Sequence, residues 1–73
     1  MRVDITAHIP GTVWKIEVRV GDAVARDAVI VILESMKMEV PVETHVAGTI
    51  VEVLAKEGQA VAEGQVLTRV KQG

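Results

Sequence analysis

The sequence predicts an all-β fold, a small sandwich or flattened barrel of about eight short strands. Three observations carry that prediction. First, 21 of 73 residues are β-branched aliphatics, 15 Val and 6 Ile, a composition that favours sheet over helix. Second, the apolar stretches are short and separated by turn chemistry: Pro10-Gly11, Gly21-Asp22, Gly48, Gly58 and Gly64. Third, the chain aligns with itself at a shift of 37 residues, residues 3–33 falling on 40–70 with nine of 31 pairs identical. His8/His45, Gly11/Gly48, Gly21/Gly58 and Ala23-Val24-Ala25/Ala60-Val61-Ala62 are among them. A repeat present only twice is not a solenoid. It indicates a β-domain with internal pseudo-two-fold symmetry. No segment carries a helical period of adequate length, which excludes a parallel βαβ arrangement.

In order, Val3–Ala7 reads as a first strand and His8–Gly11 as a bend. Thr12–Val18 alternates, with Trp14, Ile16 and Val18 on one face, making Trp14 a core residue, and Lys15, Glu17 and Arg19 on the other. Gly21-Asp22 breaks the run, and Ala23–Asp27 is a short extended or turn segment. Val29–Glu34 is continuously apolar up to its last residue, as a strand covered on both faces would be. Met38–Glu43 returns from it. Thr44–Ala47 repeats the bend, Thr49–Leu54 repeats the alternating strand with Glu52 outward, Gly58 and Gly64 bracket the second short segment, and Val66–Val70 closes the sheet. Gly11, Gly21, Gly48 and Gly58 are expected to hold turns with positive φ. Residues 1–73 form one small domain.

Composition narrows the function classes. Ten acidic against eight basic residues give a net charge of −2, with no basic face for nucleic acid, and Trp14 is the only aromatic, so no base-stacking platform exists. There is no cysteine for a disulfide or thiolate metal site. His8 and His45 form a symmetric pair without a third ligand, which favours surface or structural roles over a metal. The longest apolar run, Ala28–Leu33, is six residues, far short of a membrane span, and Met1-Arg2-Val3-Asp4 has no apolar signal region. The chain reads as cytoplasmic, with no membrane partner. No Ser-His-Asp set, phosphate-cradling Gly-rich loop or paired carboxylates across a pocket appears, so no residue is assigned a catalytic role.

The chemistry concentrates in Glu34-Ser35-Met36-Lys37-Met38-Glu39, between the two central strands. The simplest fold is a hairpin with Met36-Lys37 at its tip. Two-residue primed turns prefer Asn-Gly or Asp-Gly because both central residues need φ > 0, so Met-Lys implies strain. Ser35 then pairs with Met38, and Glu34 faces Glu39, an unfavourable like-charge pair. Two methionines at an exposed tip gain little by burial. Local rules broken without structural gain point to a functional site. The second copy of the hairpin would fall at residues 73–74, so the repeat presents one lysine, Lys37, and places it far from both termini.

Glu-Ser-Met-Lys-Met-Glu resembles the attachment motif of biotinyl domains, whose core is Met-Lys-Met preceded by Ala or Ser. The glycine framework extends the resemblance over essentially the whole chain, and Met-Glu-Val-Pro-Val is similar to the small free-standing biotin/lipoyl attachment proteins. The resemblance implies a barrel-sandwich hybrid of two four-stranded antiparallel sheets. It implies that the chain is a biotin carboxyl carrier and not itself an enzyme. Lys37 would be biotinylated by a biotin protein ligase using ATP. A biotin carboxylase would load CO2 onto the biotin and a carboxyltransferase would pass it to an acceptor. Met36 and Met38 would count with Lys37 as cofactor-binding residues, read by the ligase and tuning carboxylation, and Glu34, Ser35 and Glu39 would mark the hairpin for the ligase. The absence of a thumb-like insertion, present in some acetyl-CoA carboxylase carriers, leaves the carboxylase open. The alternatives are a lipoyl carrier, whose tips typically carry Asp-Lys-Ala, a dual biotin and lipoate attachment protein, and an unmodified hairpin module like those in membrane-fusion adaptors.

Overall fold

The computed structural model describes residues 1–73. It contains eight strands and no helix: β1 (Arg2–Thr6), β2 (Gly11–Ile16), β3 (Ala23–Val24), β4 (Val29–Ser35), β5 (Met38–Glu43), β6 (Gly48–Val53), β7 (Ala60–Val61) and β8 (Val66–Gln72). They form two four-stranded antiparallel sheets, ordered β1-β8-β6-β3 and β5-β4-β2-β7. The shift of 37 carries β2 onto β6, β3 onto β7 and β4 onto β8, and so converts one strand order into the other. Each half therefore lends two strands to the sheet built around the other half's pair.

The loops obey the same symmetry. Gly21 N–H donates to the Ile50 carbonyl and Ile50 N–H to the Asp22 carbonyl, both at 2.8 Å. Their counterparts run from Gly58 N–H to Val13 at 2.7 Å and from Val13 N–H to Gln59 at 2.8 Å. Between the sheets lies one apolar cluster of 13 buried residues, with Ile30, Leu33, Ile50 and Leu67 its largest fully buried side chains. With no aromatic ring in it, the cluster is packed by branched aliphatics, each of which contributes about 1.5–3 kcal/mol when fully buried.

Several expectations are corrected. The first strand ends at Thr6, not Ala7, because Ala7 leaves the ladder: its N–H donates to the Gln65 carbonyl and its carbonyl accepts from Gly64. The strand expected over 12–18 ends at Ile16, β4 extends to Ser35, and β8 runs on to Gln72, held by Lys71 pairing with both Arg2 and Thr49. Within 23–27 only Ala23–Val24 is strand, and Asp27 closes the segment at φ 72°. Asp27 aligns with Gly64, φ 86°, so the repeat itself marks a left-handed position, which Asp tolerates better than most residues.

Trp14 is not a core residue: it is 48% exposed while Val13 is buried. The register between β2 and β4 shifts between Val13 and Lys15, so Trp14 is the extra residue of a β-bulge. A bulge reverses the in/out parity beyond it. Val13, Ile16 and Val18 point inward, whereas Trp14 and Lys15 both face water. The same shift recurs between Ile50 and Glu52 in β6.

Gly21 and Gly58 have the expected positive φ, but Gly11 and Gly48 do not. They open β2 and β6, and glycine is required there by proximity. A Cβ on Gly11 would lie 2.8 Å from the Glu34 carbonyl oxygen, and one on Gly48 would collide with the Lys71 carbonyl.

Two side-chain features separate the halves. Arg69, in the middle of β8, donates from Nε to Asp4 of β1 at 3.0 Å and from Nη1 to Glu52 of β6 at 2.9 Å. These bonds, Glu52's first, raise the guanidinium pKa above its already basic value. Thr68 is fully buried and its hydroxyl has no hydrogen-bond partner, while its counterpart in the first half is the equally buried Val31. An unsatisfied buried hydroxyl costs about 1–3 kcal/mol. Thr68→Val is expected to raise stability by about 1 kcal/mol, seen as a Tm roughly 4–8 °C higher in thermal melts. An unchanged or lowered Tm would contradict the reading of Thr68 as an unpaired polar group.

Candidate functional site

The site is built on the β4–β5 hairpin. Register pairs Leu33 with Val40, Glu34 with Glu39 and Ser35 with Met38, leaving Met36-Lys37 as the two-residue turn. Met36 has φ 52° and Lys37 φ 65°, so both central residues are left-handed, as a type I′ turn requires. Left-handed backbone costs an ordinary residue roughly 1–2 kcal/mol. The turn is held in that conformation by the ladder beneath it rather than by its own preference.

That ladder is firm up to the base of the tip. On its other edge β4 pairs with β2 from Ile16↔Val31 to Thr12↔Glu34, where the Gly11 backbone lies close against the Glu34 carbonyl. Ser35 to Met38 extend past the last β2 pairing and project freely. Met36 is 92% exposed and Met38 63%, and Lys37, Glu34 and Glu39 are also exposed. Lys37 enters none of the ion pairs in the structure, and neither do Glu34 and Glu39. The Lys37 amine is thus held at the apex, untied and open to another molecule. Of the other lysines, Lys15 of β2 pairs with Glu17, just past the strand's end, at 3.6 Å, Lys71 lies in β8, and Lys56 sits in the loop after β6.

Connectivity sets the tip apart from the termini. After Thr6 the chain crosses four residues and starts β2 at Gly11, beside Glu34. The end of β1 and the hairpin therefore share one end of a molecule measuring 35 × 17 × 16 Å. At the far end of β1 the Gln72 N–H donates to the Met1 carbonyl at 2.8 Å, closing the terminal edge.

The structure does not bring His8 and His45 into a cluster: both are exposed, and no group of three His, Cys, Asp or Glu side chains is placed to hold a metal ion. No pocket opens in the surface. No helix is long and apolar enough to cross a membrane. The arrangement offers one exposed primary amine, that of Lys37, at the apex of a projecting hairpin.

A profile of the biotin/lipoyl family, described as "Biotin-requiring enzyme", matches residues 1–70. The chain belongs to this biotin/lipoyl attachment family. Among its relatives, the biotin/lipoyl attachment protein of Bacillus subtilis is 41% identical over 38 residues, covering 52% of this chain and 52% of that protein. The biotinylated protein TB7.3 of Mycobacterium bovis is 45% identical over 42 residues, 58% of this chain and 59% of that protein. The matches thus span only about half of these small proteins. Among solved structures, the urea carboxylase of Kluyveromyces lactis superposes with a TM-score of 0.92 at 27% identity, over 97% of this chain and 6% of that one. A single-chain, multi-domain long-chain acyl-CoA carboxylase gives 0.92 at 29% identity, over 99% of this chain and 7% of that one. The two-sheet fold is thus shared with segments of carboxylases.

Two residues of β2 take places that simple alternation and turn chemistry do not predict. Simple alternation places Trp14 inward, although the inward apolar positions 13 and 16, mirrored by 50 and 53, are three apart instead of two and so signal a bulge. The sequence points to turn geometry at Gly11, whereas its constraint, the Glu34 carbonyl, leaves no trace in sequence.

The strain at the tip is open to test. Asn adopts left-handed backbone more readily than Met, so Met36→Asn is expected to stabilise the protein by about 0.5–1 kcal/mol in urea titrations. Glu39→Lys converts the Glu34↔Glu39 repulsion into an attraction and is expected to add a few tenths of a kcal/mol at low salt, a gain that high salt removes. Loss of stability in either variant would show that the wild-type tip is not strained.

Proposed function

We propose that the chain is a biotin carboxyl carrier in which residues 1–73 act as one attachment unit and Lys37 is the site of covalent biotin. The observation that carries this reading is the Lys37 amine, exposed and free of ion pairs, on a two-residue left-handed apex between Met36 and Met38. Covalent acylation needs an accessible primary amine whose surroundings cost the ligase little entropy to engage, and a fixed hairpin meets that need. A biotin protein ligase supplies the activated acyl group. Lys37 gives up its ammonium proton, and the neutral Nζ attacks the acyl carbon. The N–C amide bond forms as the bond to the ATP-derived activating group breaks, and that group leaves with the bonding electron pair. The nitrogen sheds its second proton, and the acylated side chain no longer carries a charge. Ser35 and the unpaired Glu34 and Glu39 identify this hairpin to the ligase. Met36 and Met38 offer flexible thioethers that adapt to several partner surfaces in turn.

When bound, biotin supplies the carboxyl-transfer chemistry between a biotin carboxylase and a carboxyltransferase, and the protein supplies reach and presentation. In this reading the chain is a carrier and not itself an enzyme, the chemistry being done by the enzymes it visits, as expected of an attachment domain of this family. A cytoplasmic setting, where the ligase and ATP are found, belongs to the same reading. Lipoate on Lys37 is the second reading, favoured by the name of the Bacillus subtilis relative. The flanking methionines, the relative named as biotinylated and the carboxylase superpositions favour biotin.

The intact mass of the protein isolated from cells that hold both ligases decides between them. The expected result is the added mass of one biotinyl group on the wild type and none on Lys37→Arg, which keeps the charge but offers no comparable nucleophile. Lys37→Arg is expected to melt like the wild type. A lipoyl mass, no added mass, or biotin on Lys37→Arg would overturn the proposal.

A further inference from the structure

The internal symmetry permits a comparison that the chain makes with itself. Each position on the outer face of one sheet has a counterpart on the other, held by the same backbone. On the β1-β8-β6-β3 sheet the middle row is Asp4–Arg69–Glu52, a closed ion triad. Its counterpart on the β5-β4-β2-β7 sheet is Pro41–Ile32–Lys15, with Trp14 bulged beside it. Ile32 points away from the core cluster and does not pack against it, and Trp14 and Pro41 are exposed. The row nearer the sheet end is inverted in charge. Arg2↔Lys71 on the first sheet become Glu39↔Glu34 on the second, next to Lys37. Glu43, also exposed on β5, adds a third acid without an ion-pair partner. One outer face is thus sealed by its own charges. The other, which carries the hairpin, has an apolar centre and an acidic rim.

We infer that this second outer face, centred on Trp14, Ile32 and Pro41, is the surface on which the biotin protein ligase docks through an apolar depression rimmed by Lys or Arg. The inference rests on the carrier reading of Lys37. The ligase is singled out by reach. It acts on a bare lysine, so it must approach within a side chain's length of the hairpin, whereas later enzymes meet the end of a long arm. A standard interface buries about 800 Å² per partner, roughly a sixth of this chain's 4525 Å². The tip from Ser35 to Met38 is too small to supply that. The face flush with it supplies the rest, with a tryptophan at its centre, the residue type most enriched among binding hot spots. The unpaired acids steer a basic partner toward Lys37.

The test is steady-state biotinylation by a biotin protein ligase with ATP and biotin, varying the concentration of the carrier. Two variants borrow residues from the opposite sheet, where this same backbone already accommodates them. One is Trp14→Val, after Val51. The other is Lys15→Glu with Ile32→Arg and Pro41→Asp, which rebuilds the triad. Circular dichroism and denaturant melts establish that each is folded, and Trp14→Val decides alone if the triple variant is not. The expected result is a KM for carrier raised about fivefold or more in Trp14→Val and more in the triple variant, with kcat within about twofold of wild type. The wild-type KM is also expected to rise with added sodium chloride. Unchanged KM values with normal wild-type biotinylation overturn the docking surface while leaving the carrier reading intact. Sedimentation showing a wild-type dimer that Trp14→Val dissociates also overturns it, assigning the face to a second copy. Failure to biotinylate the wild type overturns both.

Discussion

Everything in this structure depends on the exchange of strands between its two halves. β1 and β3 have no partner within the first half and are held by β8 and β6 of the second, while β5 and β7 are held by β4 and β2 of the first. Neither half can form a sheet of its own length alone. In a chain with no disulfide and no aromatic core, this interlocking lets 13 mostly β-branched and small residues enclose a continuous interior. It also explains the backbone bonds that tie Gly21-Asp22 to Ile50 and Gly58-Gln59 to Val13, which pin each half's turn onto the other's bulged strand.

The hairpin is where that rigidity is put to use. β4 is gripped on both edges as far as Glu34, by β2 on one side and β5 on the other, and only the residues beyond are free. A turn of two left-handed, non-glycine residues would not persist in an isolated peptide, and the acids beneath it repel each other. The sheets hold such a tip in place because opening it would mean peeling β5 from β4 and drawing the β5 core residue Val42 away from its partner Val31. Strain located at one end of a well-packed fold, with an unpaired amine at its summit, is the pattern expected where presentation and not stability is selected.

Much of this was legible in sequence. The repeat at a shift of 37 predicted eight strands, the equivalence of the sheets and the single lysine-bearing hairpin, and the turn and register at Met36-Lys37 followed from pairing the flanking strands. What escaped was whatever depends on the third dimension. Alternation alone places Trp14 in the core, and only the three-residue spacing of Val13 and Ile16, repeated at Ile50 and Val53, carries the mark of the bulge that turns it outward. The requirement for glycine at positions 11 and 48 arises from carbonyls of strands distant in sequence. The unsatisfied Thr68 hydroxyl and the Asp4–Arg69–Glu52 triad appear only once β8 is placed between β1 and β6.

One amine, at one place in the fold, is the proposed attachment point. Cleavage of the ligase-treated protein after its glutamates isolates that place, since Glu34 and Glu39 bound a fragment, Ser35-Met36-Lys37-Met38-Glu39, that contains a single lysine. Mass spectrometry of the digest is predicted to find all the biotin on this fragment and none on those bearing Lys15, Lys56 or Lys71. Biotin on any of the other three, or spread among them, would contradict the account.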